Sequence, residues 1–210
     1  MRVFIWVFAI LVFLDNVGYK VSTILAGLGI GGAAIALASQ SILKDLFSYF
    51  SILFDRPFEI GDFIIMGEYL GTVEHIGIKT TRLRSLTGEE IICSNTDLTG
   101  LPLRNYKRMA CRRVCFKLGV VYQTSLEKLK IIPGLLEKII RSVEDTRFDR
   151  AHFAVFNDSR LTLEIVYYVL SNDYNRYMDI HQKILFSVKQ EFESNLIEFA
   201  YPTQTLYLTK

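Results

Sequence analysis

Two stretches of this sequence carry no charge at all. Val3–Leu14, "VFIWVFAILVFL", is uncharged and apolar, and Val21–Leu43 contains neither an acid nor a base. Cysteine is scarce, with only Cys93, Cys111 and Cys115 in 210 residues. An odd number with no C-x-x-C pair argues against a disulfide framework and fits free thiols in a reducing compartment. Cys111 and Cys115 lie four apart in a strand-like run, with no histidine or third cysteine beside them to complete a metal site. Histidine is equally sparse. His75, His152 and His181 are scattered with no Ser–His–Asp or metal-ligand spacing. Each reads as a strand or helix surface residue, and the chain reads as a non-enzyme without cofactor or metal. A net charge of +2 is too small to indicate nucleic acid.

What is present divides at Lys44. Before it the chain is membrane-like, interrupted only by a polar turn at Asp15, Asn16, Gly18 and Lys20; after it charges are frequent. Val21–Leu43 as a helix would reach about 34 Å, enough to cross a bilayer. Val3–Leu14 would reach only about 18 Å. No small-residue cleavage motif follows it, so it is expected to be the end of a membrane helix that begins outside this chain rather than a signal peptide.

Within the second charge-free run, "AGLGIGGAAIALASQS" places Gly27, Gly29 and Gly32 as G-x-G-x-x-G, the spacing of a dinucleotide loop. That reading needs an amphipathic helix and then a second strand ending in an acid. Residues 33–43 have no polar face, and Asp45 follows them directly. On a helical wheel the residues sort differently. Ala26, Ile30, Ala33, Leu37 and Gln40 share one face. Gly27, Gly31, Ala34 and Ala38 flank it on one side, and Gly29, Gly32, Ala36 and Ser39 on the other. Leu28, Ile35 and Ile42 lie behind. Small residues let helices approach closely in lipid. Two small flanks allow one copy to touch a sister copy on each side, and such contacts close a ring. The face between the flanks would then line a pore, where Leu37 can stop ions by dewetting. A buried bundle helix without a pore is the plainer alternative.

Helical periodicity continues past Gln40 and Ser41. Leu43, Leu46, Phe47, Phe50, Leu53 and Phe54 form an apolar stripe against Lys44, Asp45, Ser48 and Ser51, as in a helix lying along a membrane surface. The change of character predicts a bend at Gln40–Ser41, and Pro57 ends the helix near Arg56. Residues 58–106 hold short strands, "EIGDFIIM", "GTVEHIGIK", "TTRLRS" and "EEIICSN", separated by turn residues, which predicts a small β-barrel or sandwich.

After Cys111, "RRVCFKLGVVY" reads as a strand. Thr124 and Glu127 form a capping box for a helix over 125–143, interrupted at Pro133. "HFAVFND" and "RLTLEIVYYVL" form a hairpin around 157–159. Residues 174–195 form a helix with Ile184, Leu185, Val188 and Phe192 on one face and Leu196 just beyond. "TQTLYLT" supplies a last strand. The order β-α-β-β-α-β is ferredoxin-like. Arg104, Lys107, Arg108, Arg112, Arg113 and Lys117 form a basic cluster, read as a solvated face with positive-inside bias. Its alternative reading is a vestibule that favours anions.

These pieces, in this order, resemble the small-conductance mechanosensitive channel family (MscS-like). The resemblance runs from Asp15 to Leu208 and is most specific in "LDNVGYKVSTILAGLGIGGAAIALASQSILKDL", "DRPFEIGD", "GTVEHIGIKTTRLRS" and "YPTQTLYL". It implies a homoheptamer in a cell membrane (the inner membrane of a Gram-negative cell), multi-pass in the full-length protein, with its C-terminal domains cytoplasmic. The implied architecture is a truncated membrane helix and turn (1–20), a pore helix and kinked continuation (21–57), an Sm-like β domain (58–106) and an αβ ferredoxin-like domain (107–210). The implied function is tension-gated release of ions and small osmolytes on hypo-osmotic shock, with membrane lipid and sister subunits as partners and no nucleic acid.

Gate rings are implied at Ala33 and Leu37, with helix packing at Gly29, Gly32, Ala34 and Ala36. The sequence departs from the family pattern at Ser41, which is glycine or acidic in relatives. Tyr49 stands at a second hinge-glycine position, and Ser94 replaces the proline of a P-N pair. The rival readings are a membrane-anchored scaffold without a channel and an Sm-like RNA-binding ring.

Overall fold

The computed structural model describes residues 2–18 and 20–204, which fall into two compact units, 1–104 and 105–210. The first unit opens with α1 (Arg2–Asn16) and α2 (Val21–Asp55). Among the described residues α2 alone is long and apolar enough to cross a membrane. It runs through Gln40 and Ser41 without interruption, so any bend there is not a break in the helix. Ser41 lacks the backbone freedom that glycine would bring to that position. The helix stops where Pro57 requires. Arg56 turns left-handed at φ 46°, and its N–H bonds back to the Ile52 carbonyl at 3.0 Å.

The rest of this unit is a sheet with strand order β4-β3-β2-β1-β5, where β1 is Phe63–Met66, β2 Tyr69–Ile76, β3 Thr80–Arg84, β4 Glu90–Ser94 and β5 Leu103–Asn105. Alternation along the strands turns Ile64, Met66, Val73 and Leu83 inward. There they meet Ile52 of α2, Phe58, Cys93 and Leu98. Gly67 takes φ 55° in the two-residue turn between β1 and β2, a backbone region that costs glycine nothing. Two features differ from an all-β barrel. The sheet is open, with β4 and β5 at its edges, and it carries a short helix, α3 (Asn95–Gly100). Ser94 starts that helix by accepting a bond from the Asp97 N–H at 3.1 Å.

The second unit runs β6 (Arg112–Val120), α4 (Leu126–Arg141), β7 (Thr146–Asn157), β8 (Arg160–Val169), α5 (Tyr174–Ser194). Its antiparallel sheet has the order β6-β8-β7. Leu161, Leu163, Ile165, Tyr167 and Val169, every second residue of central β8, pack against Ile132, Leu136, Ile139 and Ile140 of α4 and Ile180, Ile184, Val188 and Phe192 of α5. Several details depart from the sequence reading. Ser125, not Thr124, caps α4, accepting from the Lys128 N–H at 3.3 Å. Pro133 lies inside α4 without ending it, because Ile132 and Leu136 on either side are held in the core. Leu185 and Leu196 are exposed, and Ile180 takes the inward place instead. The last expected strand has no regular structure at Thr203 and Gln204, and its remainder, 205–209, lies outside the described residues.

Gly71 of β2 has no room for a side chain, since a Cβ there would lie 2.6 Å from the Arg84 carbonyl oxygen. Gly71→Ala therefore has to part β2 from β3. The expected cost is about 1–3 kcal/mol, read as a drop of several degrees in the thermal midpoint by circular dichroism. An unchanged midpoint contradicts the pairing of Thr72 with Arg84 and of Val73 with Leu83.

Candidate pore helix and its anchor

The uncharged part of α2 is open to its surroundings along its length. Ile30 is 74% and Leu37 72% exposed, and Ala33 and Gln40 on the same face are exposed too. A Cβ added at Gly27, Gly29, Gly31 or Gly32 would meet nothing within 4 Å. Each of these glycines costs a helix interior about 1 kcal/mol relative to alanine. Gly71 is required by its own chain; these four are not. The flanking Ala34, Ala36 and Ala38 are exposed as well.

Below Gln40 the helix meets the sheet, along a face that the sequence reading assigned to solvent. Asp45 is only 6% exposed. Its carboxylate accepts from the Thr96 N–H at 3.2 Å and from the Thr96 hydroxyl at 2.7 Å. One turn on, the Thr99 hydroxyl donates to the Ser48 hydroxyl at 3.0 Å, and a further turn on Ile52 enters the core. Positions 45, 48 and 52 therefore share the buried face. Phe47, Phe50, Leu53 and Phe54 of the expected stripe remain exposed. Sequence inspection did not find this anchor. The available signal was S-x-x-D at Ser94–Asp97, which starts α3 and so sets Thr96 opposite Asp45.

Asn95, at the start of α3, is fully buried and fully bonded. Its side-chain N–H groups donate to the carbonyls of Gly77 and Ile78 at 2.8 and 3.0 Å, and its oxygen accepts from the Thr81 hydroxyl at 2.8 Å. Thr96 is thus held by a residue that also fixes the β2–β3 turn.

The other singled-out residues disperse. Cys93 is buried, Cys111 half-buried and Cys115 exposed, all as free thiols. Burial is the first cause that pushes the Cys93 thiol up from its ordinary value, with Asp97 adding to it. Within the basic cluster, Arg113 and Lys117 are exposed on β6. Arg112 is not a solvated charge: its guanidinium lies among the rings of Tyr106, Tyr174 and Tyr177. His75 and His152 are strand residues. His181 is half-buried against aromatic rings rather than a plain surface residue.

Residues 1–40 match the family description "Mechanosensitive ion channel, transmembrane helices 2/3", residues 41–108 its "beta-domain", and residues 114–199 "Mechanosensitive ion channel MscS, C-terminal". The chain belongs to the MscS-like family. Among the relatives of this MscS-like chain is the large-conductance mechanosensitive channel MscMJLR of Methanocaldococcus jannaschii, 36% identical over 100% of this chain and 59% of the relative. The small-conductance channel MscMJ of the same organism is 36% identical over 96% of this chain and 58% of its own length. The chain therefore spans under three fifths of these relatives. The cryo-EM structure of Arabidopsis thaliana MSL1 shares the fold, with a TM-score of 0.80 at 21% identity over 96% of this chain and 74% of that one.

Asp45→Ala in this MscS-like chain leaves the Thr96 N–H and hydroxyl without their acceptor, at a cost of about 1–3 kcal/mol. Amide exchange over 95–100 is expected to quicken about tenfold or more, while Asp45→Asn, which keeps an acceptor, changes it less. Equal exchange in Asp45→Ala and the parent removes the anchor.

Proposed function

We propose that this chain is the pore-forming part of a tension-gated ion channel, built as a homoheptamer in a cell membrane with residues after α2 on the cytosolic side. The observation that carries this reading is the set of four α2 glycines whose smallness answers nothing within the chain. In lipid such residues serve close contact with another helix, and two small flanks admit a copy on each side. The face between them then lines the axis, with Leu37 as the constriction and Ile30, Ala33 and Gln40 along the wall.

A narrow ring of leucines excludes water and therefore ions. Tension favours the state with the larger in-plane area, so stretching shifts the population toward a wider, wetted ring. Ions and small osmolytes then leave down their gradients, as on hypo-osmotic shock. The exposed Phe47, Phe50, Leu53 and Phe54 suit the membrane surface. The open edges β4 and β5 suit pairing between neighbouring copies, in the manner of an Sm-like ring. The second unit, with β-α-β-β-α order, is read as ferredoxin-like. Gln40 and Ser41 are the proposed hinge between the pore segment and the anchored segment.

Two measurements test this reading. Leu37→Ser eases wetting, and patch-clamp recording is expected to show opening at lower tension; gating like the parent's refutes Leu37 as the gate. Native mass measurement of the lipid- or detergent-held protein is expected to give seven copies, and Gly31→Leu to reduce that number while the sheet of the first unit stays folded. A monomeric parent refutes the ring.

A further inference from the structure

One polar group in the second unit has no part in the gate. His181 of α5 is half-buried among the rings of Phe116, Tyr167 and Tyr177. Its Nδ1 lies 2.9 Å from the hydroxyl of Tyr167 on β8, a fully buried side chain. Phe116 of β6 meets the imidazole edge to face at 5.3 Å and 80°. The Tyr177 ring lies nearly parallel to it, with centres 5.9 Å apart. Tyr177 in turn is the nearest of three rings around Arg112: the guanidinium is 5.1 Å from Tyr177, 5.5 Å from Tyr174 and 5.6 Å from Tyr106. The Arg112 Nε is buried and has no hydrogen-bond partner among the described residues, so the rings are what hold it. Asn172, just before α5, donates to the Lys107 carbonyl at 2.7 Å. A continuous series, Tyr167–His181–Tyr177–Arg112–Tyr106, thus runs from the core of the second unit to the segment by which the chain enters it.

We propose that His181 is an acid-operated release for this segment, Asn105–Arg112: uptake of a proton at Nδ1 breaks the Tyr167 bond and loosens the series. Burial first, and the nearby Tyr177 next, push the Tyr167 phenol well above its ordinary value, so it stays protonated and acts as the donor. Nδ1 is then the acceptor, and the neutral ring carries its hydrogen on Nε2. A proton arriving at Nδ1 sets two donors face to face, and Tyr167 has no second partner among the described residues. It also gives Tyr177 a second cationic neighbour beside Arg112.

The titratable groups with a described contact to the ring are Tyr167 from β8 and Tyr177 on α5 itself. Tyr177 in turn meets Tyr174 of α5 and Arg112 of β6. From α4 no charged or titratable group has a described interaction with it. Burial alone pushes the His181 imidazole below its ordinary value of 6.5. The unfolded or opened chain therefore takes up the proton first as pH falls. The clamp is at full strength above the unfolded value and weakens progressively below it.

The full chain in lipid nanodiscs tests this by amide exchange at about pH 7.5 and about pH 5, corrected for the chemical exchange rate. Acid is expected to speed exchange over 105–112 and the first turns of α5 about tenfold. His181→Gln, which cannot titrate, is expected to lose that response. Tyr167→Phe removes the bond that the proton breaks, and is expected to speed exchange already at about pH 7.5 and to shrink the acid response. An unresponsive parent, an equal response in His181→Gln, or a parent-like acid response in Tyr167→Phe overturns the proposal.

Nitrogen NMR of histidine-labelled parent protein decides the matter if the variants misfold. With three histidines in the chain, the His181 signal is separable. An unprotonated Nδ1 at neutral pH and a midpoint below 6.5 are expected; a hydrogen on Nδ1, or a midpoint at or above 6.5, overturns the proposal. None of these readouts uses conduction, so failure here leaves the pore reading standing.

Discussion

Asp45 is the point at which α2 passes from its charge-free run to a hydrogen-bonded anchor. From Val21 to Leu43 α2 carries no charged side chain, and at Asp45 it is bonded to the helix that the sheet carries. The helix does not break between the two regimes, so displacement of its upper part must be borne below. There Asp45 is bonded to Thr96, and Asn95 beside Thr96 is bonded to Gly77, Ile78 and Thr81. Hydrogen bonds to a charged group contribute about 1.5–3 kcal/mol. Ser48–Thr99 and buried Ile52 set the same face at two more heights, so the helix cannot roll freely at this end.

Much of this was legible in the sequence for a simple reason. Uncharged length, small-residue spacing and strand alternation are local properties, and they survive folding. The two charge-free runs, the strands β1–β4 and the β-α-β-β-α order of the second unit all come from such patterns. What was not legible depends on which side of an element finds a partner. The apolar stripe at Leu43–Phe54 pointed to one face of α2, yet the sheet engages the face with Asp45 and Ser48, because α3 presents hydroxyls and an N–H there. A short helix such as α3 differs from a turn only by its cap, and the Asn95–Thr96 pair reads equally well as a turn. Arg112 and His181 look like surface residues in the sequence, and only the pairing of β6 with β8 under α5 brings the tyrosines around them. Pro133 marks a helix end by propensity, and packing of Ile132 and Leu136 overrides it.

The glycines of α2 can be weighed against the glycine of β2. Gly71 is dictated by a carbonyl at 2.6 Å, so any side chain there disrupts the domain. Gly27, Gly29, Gly31 and Gly32 face open space, and in water four such residues would weaken a helix. In hydrocarbon that weakness matters less, because the backbone has no other partner for its polar groups and stays helical. There is also no hydrophobic drive between helices in lipid, so close van der Waals contact decides whether they associate. Glycine is therefore a poor choice for α2 as a lone helix and a good one for α2 between copies.

The same small flanks bear on movement as well as assembly. Side chains that interlock hold two helices in one register, whereas Gly and Ala surfaces let them slide with little loss of contact. In the proposed ring, Leu37 can seal and the pore still widen, since the proposed sealing and contact residues lie on different faces of α2. In that proposal Ala33, one turn above, adds no second bulky ring, which leaves wetting to Leu37 with Ile30 above it. Below, Asp45, Ser48 and Ile52 tie the helix to its own unit, which would bound such sliding. In the proposed channel a seal set by one residue type, a contact set by another and an anchor set by a third can each change without abolishing the others, and that separation is what a tension-gated pore requires.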